Sequence, residues 1–146
     1  MKDAVILEAI RTPFGKYNGA YRETPSNKLL ANALEALVDR SGIDKSKVED
    51  VIAGSVTQIG EQAADVARQS TLLAGFPIET AGVTLNRFCG SGQQAVHFAS
   101  QVVDAGDSDY VIACGVENMT RVAMLTDMTV GAPYTGFGPM GEELLS

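Results

Sequence analysis

Residues 86–95 read NRFCGSGQQA, and they contain the junction on which the fold depends. The apolar run at 82–86 that leads into this stretch predicts a β-strand. Beyond it, helical spacing predicts an amphipathic helix that runs on to Gly106, with an apolar stripe at Ala95, Phe98, Ala99, Val102 and Val103. A strand that turns tightly into a helix begins a βαβ unit, so the stretch favours an α/β fold with Cys89 at the helix start.

The same alternation of strand and helix extends in both directions from this junction. Apolar runs predict strands at 4–7, 51–56 and 110–114, and helical spacing predicts helices at 26–42 and 62–73. Strands that alternate with helices pair in parallel through right-handed crossovers. The sequence therefore predicts a mostly parallel sheet with helices on both faces. After Glu117 the periodicity fails until residues 142–146, which look like the opening of a helix, and we expect further chain to complete the sheet.

The composition is that of an ordinary globular protein, since 45% of the 146 residues are hydrophobic and 20% are charged. This length corresponds to one domain or part of one. Eleven Lys and Arg residues against eighteen Asp and Glu residues give a net charge of -7. A negative field repels phosphate backbones and anionic lipid, so we expect neither nucleic acid nor a membrane as a partner.

Two features favour a cytoplasmic location. Residues 1–5 carry an acid at position 3 and only a short apolar stretch, unlike a secretory or transit peptide. No apolar run approaches the roughly 20 residues that a membrane-spanning helix needs. We therefore expect a protein that stays in the cytoplasm.

The two cysteines, Cys89 and Cys114, are 25 positions apart, and the chain has a single histidine. This pattern supports neither a zinc site nor a disulfide framework, and no metal or redox cofactor is expected. Cys114 lies within an apolar run and is expected in the core. Cys89 lies where free N–H groups and the helix dipole stabilise a thiolate, which makes it a candidate nucleophile. Position alone leaves open that it is a small buried side chain.

Other interpretations of this glycine-rich stretch fit less well. A hydrolase elbow centred on Ser91 needs glycine at positions 89 and 93, and neither position has one, so Ser91 is expected to be structural. A dinucleotide fingerprint needs a third glycine, but the chain has Ala95 at that position, and it has no acidic residue after the next strand. On one helix, His97 would lie about 12 Å from Cys89 along the axis, too far to act as its base. Glycines 90 and 92 allow a tight turn and a close approach by substrate.

Four segments in order resemble the thiolase family, the acetyl-CoA acyltransferases. Residues 86–95, with Cys-Gly-Ser-Gly at their centre, look like the active-site segment of that family. The segments 11–15, 106–107 and 115–120 also resemble the family's pattern. The resemblance implies that Cys89 is the nucleophile, that it carries an acyl-thioester intermediate, and that its backbone N–H is one donor to the developing oxyanion.

The resemblance also implies a fold and an assembly. Thiolases contain two half-domains of βαβαβαββ type, the first interrupted by a loop domain. By analogy, residues 1–117 form the first half-domain, with three helices and four strands in the order 3-2-1-4, and residues 118–146 begin the loop domain. The third strand then lies at a sheet edge, where residues 84–88 would meet their own copies in a homodimer or a dimer of dimers.

The implied reaction is acyl transfer through Cys89, either cleavage of a 3-ketoacyl-CoA by coenzyme A or condensation of two acetyl-CoA. Coenzyme A and acyl-CoA are substrates here, not cofactors. The family's other catalytic groups come from Asn-Glu-Ala-Phe, Gly-His-Pro and Cys-x-Gly stretches that do not occur in residues 1–146, so we expect these residues alone to lack turnover. Two alternatives remain open: a decarboxylating ketoacyl synthase of the same fold, and a non-catalytic interaction or dimerisation module.

Overall fold

The computed structural model describes residues 3–129, which contain one parallel sheet. Its helices and strands are α1 (Ser26–Ser41), β1 (Asp50–Gly54), α2 (Val66–Leu73), β2 (Ala81–Leu85), α3 (Ser91–Ala105), β3 (Val111–Gly115) and the short α4 (Thr126–Thr129). The strands lie in the order β2-β1-β3, and both pairings are parallel. The predicted α/β fold with a parallel sheet is therefore confirmed, with three strands among the described residues.

Helices cover both faces of this sheet, as the sequence predicts. Val51 and Ala53 of β1 belong to a core cluster with side chains of α1 and α2. Ile52 belongs to a second cluster, with Ala95 and Ala99 of α3. Successive side chains of a strand point to opposite faces, so the central strand contributes to both clusters.

Helix boundaries follow local capping more than apolar spacing. Gly42 adopts φ +69° and ends α1, as predicted. α2 begins later than predicted, because the Asp65 side chain accepts a hydrogen bond from the Arg68 N–H and caps the helix at Val66. The earlier residues Gly60–Gln62 form a separate 3₁₀ turn.

The predicted strand at 4–7 is not formed, and the predicted order 3-2-1-4 is wrong. β1 pairs directly with β3 on one side and with β2 on the other. In the prediction, residues 4–7 count as strand 1, so the observed β1, β2 and β3 are its strands 2, 3 and 4. In that numbering the observed order is 3-2-4. No edge of β1 is left for another strand. Val5, Ile6 and Leu7 are 73%, 81% and 62% exposed. A continuous apolar run indicates a strand only where neighbouring elements cover both of its faces, and here these side chains meet solvent.

The N-terminal segment is attached to both helical layers. The Ala4 N–H donates to Asp104 Oδ1 of α3 at 3.0 Å. Glu8 pairs with Arg40 of α1 at 3.4 Å. Because α1 and α3 lie on opposite faces of the sheet, the segment connects the two layers without joining the sheet.

The predicted loop domain at 118–146 is described only up to residue 129, and the helix predicted at 142–146 lies outside the described residues. Where the chain passes the predicted boundary, Glu117 and Asn118 both hydrogen-bond to Gln62. Between residues 3 and 129, no helix is long and apolar enough to cross a membrane.

Candidate active site

Cys89 lies in the turn between β2 and α3, two residues before the first helical residue, and it is exposed. The turn closes through hydrogen bonds from the Gly90 N–H to the Arg87 carbonyl and from the Ser91 N–H to the Phe88 carbonyl, each 3.0 Å long. The sequence placed Cys89 at this junction. Its exposure does not fit the alternative of a small buried side chain.

Two polar side chains bracket Cys89 and shape the turn. Asn86 Oδ1 accepts from the Phe88 N–H at 2.8 Å. Ser91 Oγ accepts from the Arg87 N–H at 2.8 Å and donates to the Phe88 carbonyl at 2.6 Å. Ser91 is only 3% exposed. Ser91 therefore has a structural role in the turn, as expected from the sequence.

Sequence analysis did not identify Gly54, the glycine at this site where a side chain would clash. Neither Gly90 nor Gly92 has a positive φ, and the positive φ of the turn, +48°, falls on Phe88. At Gly54, by contrast, a Cβ atom would lie 2.5 Å from the Ser91 carbonyl carbon and 2.6 Å from the Gly92 nitrogen. Gly54 therefore lets the first turn of α3 lie directly against the end of β1. A glycine inside the apolar run 51–56 was the available signal, because glycine in a strand marks a close approach of backbones.

The carboxyl ends of the strands are joined by a carboxylate. Glu117 follows β3, and its Oε2 accepts from the Val56 N–H at 2.8 Å. Its Oε1 accepts from the Thr57 N–H at 3.3 Å and from Gln62 Nε2 at 2.8 Å. Since Cys89 follows β2, all three strands deliver site-forming residues to one edge of the sheet, where open α/β sheets bind their ligands.

Gln62 connects this edge to the segments around it. It is 1% exposed, and its amide also donates to the Thr57 carbonyl at 2.9 Å. Its oxygen accepts from Ser26 Oγ and from the Asn118 N–H, both at 2.9 Å. Such a satisfied buried network fixes one arrangement of the chain. The sequence carries no spacing signal for it, because the partners come from distant segments.

The other two candidate residues, Cys114 and His97, have surroundings different from those of Cys89. Cys114 is partly buried on β3 and packs against the core cluster shared by α1 and α2. Burial raises the pKa of its thiol to about 12. His97 is exposed on α3, about 9 Å beyond Ser91 along the helix axis. The structure therefore brings neither residue to Cys89.

Comparison with known proteins gives a consistent result. The family model for the thiolase N-terminal domain matches residues 4–136. The steroid 3-ketoacyl-CoA thiolase FadA6 of Mycobacterium tuberculosis is 43% identical over 142 residues, which cover 97% of this chain and 35% of that protein. The 3-oxoadipyl-CoA/3-oxo-5,6-dehydrosuberyl-CoA thiolase of Escherichia coli is 43% identical over 133 residues, which cover 90% of this chain and 33% of that protein. The chain thus spans about one third of the length of these curated relatives.

A solved structure supports the same assignment. The crystal structure of the Bacillus anthracis acetyl-CoA acetyltransferase matches with a TM-score of 0.79 and 37% sequence identity, over 82% of this chain and 30% of that chain. Sequence and fold agree, and the match to the family model includes the Cys89 turn and all three strands. The chain therefore belongs to the thiolase family and corresponds to its N-terminal domain.

Proposed function

We propose that this chain contributes the nucleophile, Cys89, to a thiolase-type acyltransferase. The observation that carries the proposal is an exposed cysteine at the head of α3, in a turn fixed by the side chains of Asn86 and Ser91, in a member of the thiolase family. Because the side chain is exposed, substrate can reach its sulfur, and the thiolate is the reactive form of cysteine.

In the cleavage direction, the Cys89 thiolate attacks the 3-keto carbon of a 3-ketoacyl-CoA. The bond between C2 and C3 then breaks, the acyl group stays on sulfur as a thioester, and the departing acetyl-CoA carbanion takes a proton. The thiolate of a second coenzyme A attacks the thioester, which releases a shortened acyl-CoA and restores the Cys89 thiolate. A covalent intermediate of this kind gives ping-pong kinetics. Condensation of two acetyl-CoA is the same sequence in reverse.

The backbone N–H of Cys89 is our candidate for one donor to the oxyanion that forms on the attacked carbonyl. Cys89 directly precedes Gly90, the N-cap of α3, so its N–H lies beside the positive end of the helix dipole. Donors fixed in advance where negative charge develops are among the largest contributions to such catalysis. Coenzyme A and acyl-CoA are substrates in this scheme, and it requires no metal or redox cofactor. A cytoplasmic location, which keeps both cysteines reduced, belongs to the same proposal.

We also propose that the protein is a homodimer, or a dimer of dimers, built on β2. β2 pairs only with β1, so within residues 3–129 its second edge is unpaired. Exposed apolar side chains lie on β2 and in the turn that follows it: Val83 and Phe88. A twofold partner would pair the edge and cover these side chains, with residues 84–88 near their own copies.

The reaction is tested by trapping the covalent intermediate. The intact protein is mixed with acetyl-CoA, quenched in acid and digested, and the peptides are analysed by mass spectrometry. An acetyl group on the Cys89 peptide supports the proposal, and its absence or its presence on Cys114 contradicts it. Thiolysis of acetoacetyl-CoA distinguishes a thiolase from a ketoacyl synthase, which would instead release CO2 from a malonyl thioester. An interaction module would do neither.

The assembly is tested by light scattering on the intact protein at micromolar concentration. We expect a dimer or tetramer, and Val83→Arg should shift it toward monomer because the charge would be buried at the interface. Leu73→Arg is the matched control, since Leu73 is a half-exposed apolar residue on α2, on the other face of the sheet. A monomeric native protein, or equal effects of the two changes, would contradict a β2 interface.

A further inference from the structure

We propose that Asn86 is a positioning residue for Cys89, which holds the nucleophile's turn in register with the ends of β1 and β3. The proposal rests on the function proposed for Cys89. It assigns to the Asn86 side chain two tasks in one group: an acceptor that fixes the turn, and a donor that attaches the turn to the rest of the sheet edge.

The turn needs something to hold it, because Phe88 has a φ of +48°. A bulky residue rarely adopts this conformation, and it persists only where the surroundings impose it. The Phe88 side chain is 76% exposed, so packing of its ring within residues 3–129 does not supply the restraint. Hydrogen bonds do: the Phe88 N–H donates to Asn86 Oδ1 at 2.8 Å, and the Phe88 carbonyl accepts from Ser91. Since Cys89 is the next residue, the direction of its side chain follows from the Phe88 conformation.

The second task of Asn86 is attachment. Its Nδ2 donates to the Val56 carbonyl at 3.0 Å. The Val56 N–H is itself bound to Glu117 at 2.8 Å, so both backbone polar groups of Val56 are engaged. A continuous path of hydrogen bonds thus runs from Glu117 after β3, through Val56 after β1, to the turn that contains Cys89.

Ser91 and Asn86 have different roles in positioning the turn. Within the described part of the chain, the Ser91 hydroxyl bonds only to backbone atoms of Arg87 and Phe88, inside the turn. The Asn86 amide reaches outside the turn, to a different strand's carboxyl end. Ser91 therefore sets the internal shape of the turn, and Asn86 sets its orientation toward groups that other strands bring to the same edge.

The amide performs the two tasks with two different atoms, an oxygen that accepts and a nitrogen that donates, which makes the proposal testable by substitution. Asn86→Ala removes both hydrogen bonds. Asn86→Asp keeps the acceptor for the Phe88 N–H but places a carboxylate oxygen against the Val56 carbonyl. Asn27→Ala is the matched control, since Asn27 also donates a side-chain amide bond, to Gln69 at 3.1 Å, where α1 meets α2 on the other face of the sheet.

The experiment measures kcat and KM for thiolysis of acetoacetyl-CoA by the intact protein, together with the rate of Cys89 alkylation by iodoacetamide. For Asn86→Ala we expect kcat to fall about ten- to hundred-fold with KM within about twofold, because misplacing a reacting group costs rate more than binding. Asn86→Asp should fall between Asn86→Ala and the native protein. Asn27→Ala should leave both parameters unchanged. Asn86→Ala should also slow alkylation severalfold, while circular dichroism shows the same folded fraction as for Asn27→Ala.

A kcat for Asn86→Ala within twofold of the native value would overturn the proposal, as would equal losses in the Asn27 control. Failure of the proposed function looks different: there Cys89→Ala would retain thiolysis, or the native protein would have none. In that case the alkylation rates decide. Slower labelling of Cys89 in Asn86→Ala but not in Asn27→Ala supports positioning, and equal rates overturn it.

Discussion

Two cysteines of one chain occupy opposite settings at the same edge of the sheet. Cys89 lies in an exposed turn at the head of α3. Cys114 lies on β3, one residue before its end, against the core shared by α1 and α2. Burial raises the pKa of Cys114 to about 12, so its thiol stays protonated at neutral pH. A cysteine side chain is thus accessible to reagents at position 89 and is packed against the core at position 114.

The comparison teaches that reactivity here comes from how a strand ends. β2 continues into a turn that the side chains of Asn86 and Ser91 hold by hydrogen bonds, and then into α3. The residues after β2 therefore face outward at the helix N-terminus. Cys114 precedes the end of its strand and remains between packed layers. Position relative to the carboxyl end of a strand, and not residue type, separates the two thiols.

The largest expected effect is on turnover. Cys89→Ala in the intact protein should lower the kcat for thiolysis of acetoacetyl-CoA by about three powers of ten or more, since it removes the group that forms the covalent intermediate. Cys114→Ala is the matched control and should keep kcat within a few-fold, because it removes a sulfur from packing only. Comparable losses in the two variants would break the distinction between the cysteines.

The next effect concerns the thiols themselves. Brief treatment of the folded intact protein with iodoacetamide at pH 8 should label Cys89 at least a hundred-fold faster than Cys114. With a pKa of about 12, only roughly one Cys114 thiol in ten thousand is ionised at that pH. Mass mapping of the two peptides measures the ratio. In denaturant the difference should vanish, and similar rates in the folded protein would show that burial does not protect Cys114.

A third prediction sharpens the comparison at the backbone that carries Cys89. Gly54→Ala should destabilise the protein by about 2 kcal/mol or more and lower turnover, because its Cβ would lie 2.5 Å from the Ser91 carbonyl carbon. Gly92→Ala meets no atom within 4 Å and should change the unfolding free energy by less than about 1 kcal/mol. Urea unfolding of both variants measures this. If Gly92→Ala folds normally but turns over slowly, substrate approaches that glycine, as the sequence suggests. Equal stability of the two variants would contradict the close approach at Gly54.

The sequence was sufficient for the parts of this molecule that depend on local pattern. Apolar runs and helical spacing located α1, α3 and the strands within one or two residues, and the junction 86–95 placed Cys89. The resemblance to the thiolases supplied the family, which the comparisons then established. What local pattern cannot encode is which elements become neighbours.

That limit explains the incorrect parts. The run at 4–7 has the pattern of a buried strand, but β3 occupies the position beside β1 that the predicted order gives to this run. The Asn86 and Glu117 bonds to Val56 were equally invisible, because they join residues 30 and 61 positions apart. Spacing along the chain carries no information about such contacts.

The smallest expected effect extends the comparison from thiols to carboxylates. Asp50 lies at the start of β1, where burial raises the pKa of its carboxyl, with a further contribution from the charge of Asp65. Asp44 lies in a turn, where hydrogen bonds from the Ser46 backbone and side chain, together with Lys47, lower its pKa. Between the folded and unfolded pKa values of Asp50 the native state binds more protons, so stability falls as pH rises through the raised pKa. For Asp44 the sign is opposite, and its stabilisation is lost as pH falls through the lowered pKa.

Asn at position 50 cannot ionise, so Asp50→Asn should match the native protein at low pH and unfold at a slightly higher temperature at pH 7. Asp44→Asn should match the native protein at low pH and unfold slightly lower at pH 7. Thermal unfolding followed by circular dichroism on the intact protein between about pH 2.5 and pH 7 measures both differences. A pH-independent difference for Asp50→Asn would mean that its carboxyl has the same pKa in the folded and unfolded chains. Opposite slopes would instead extend to carboxylates what Cys114 shows for a thiol, namely that burial on a strand favours the neutral form of a group.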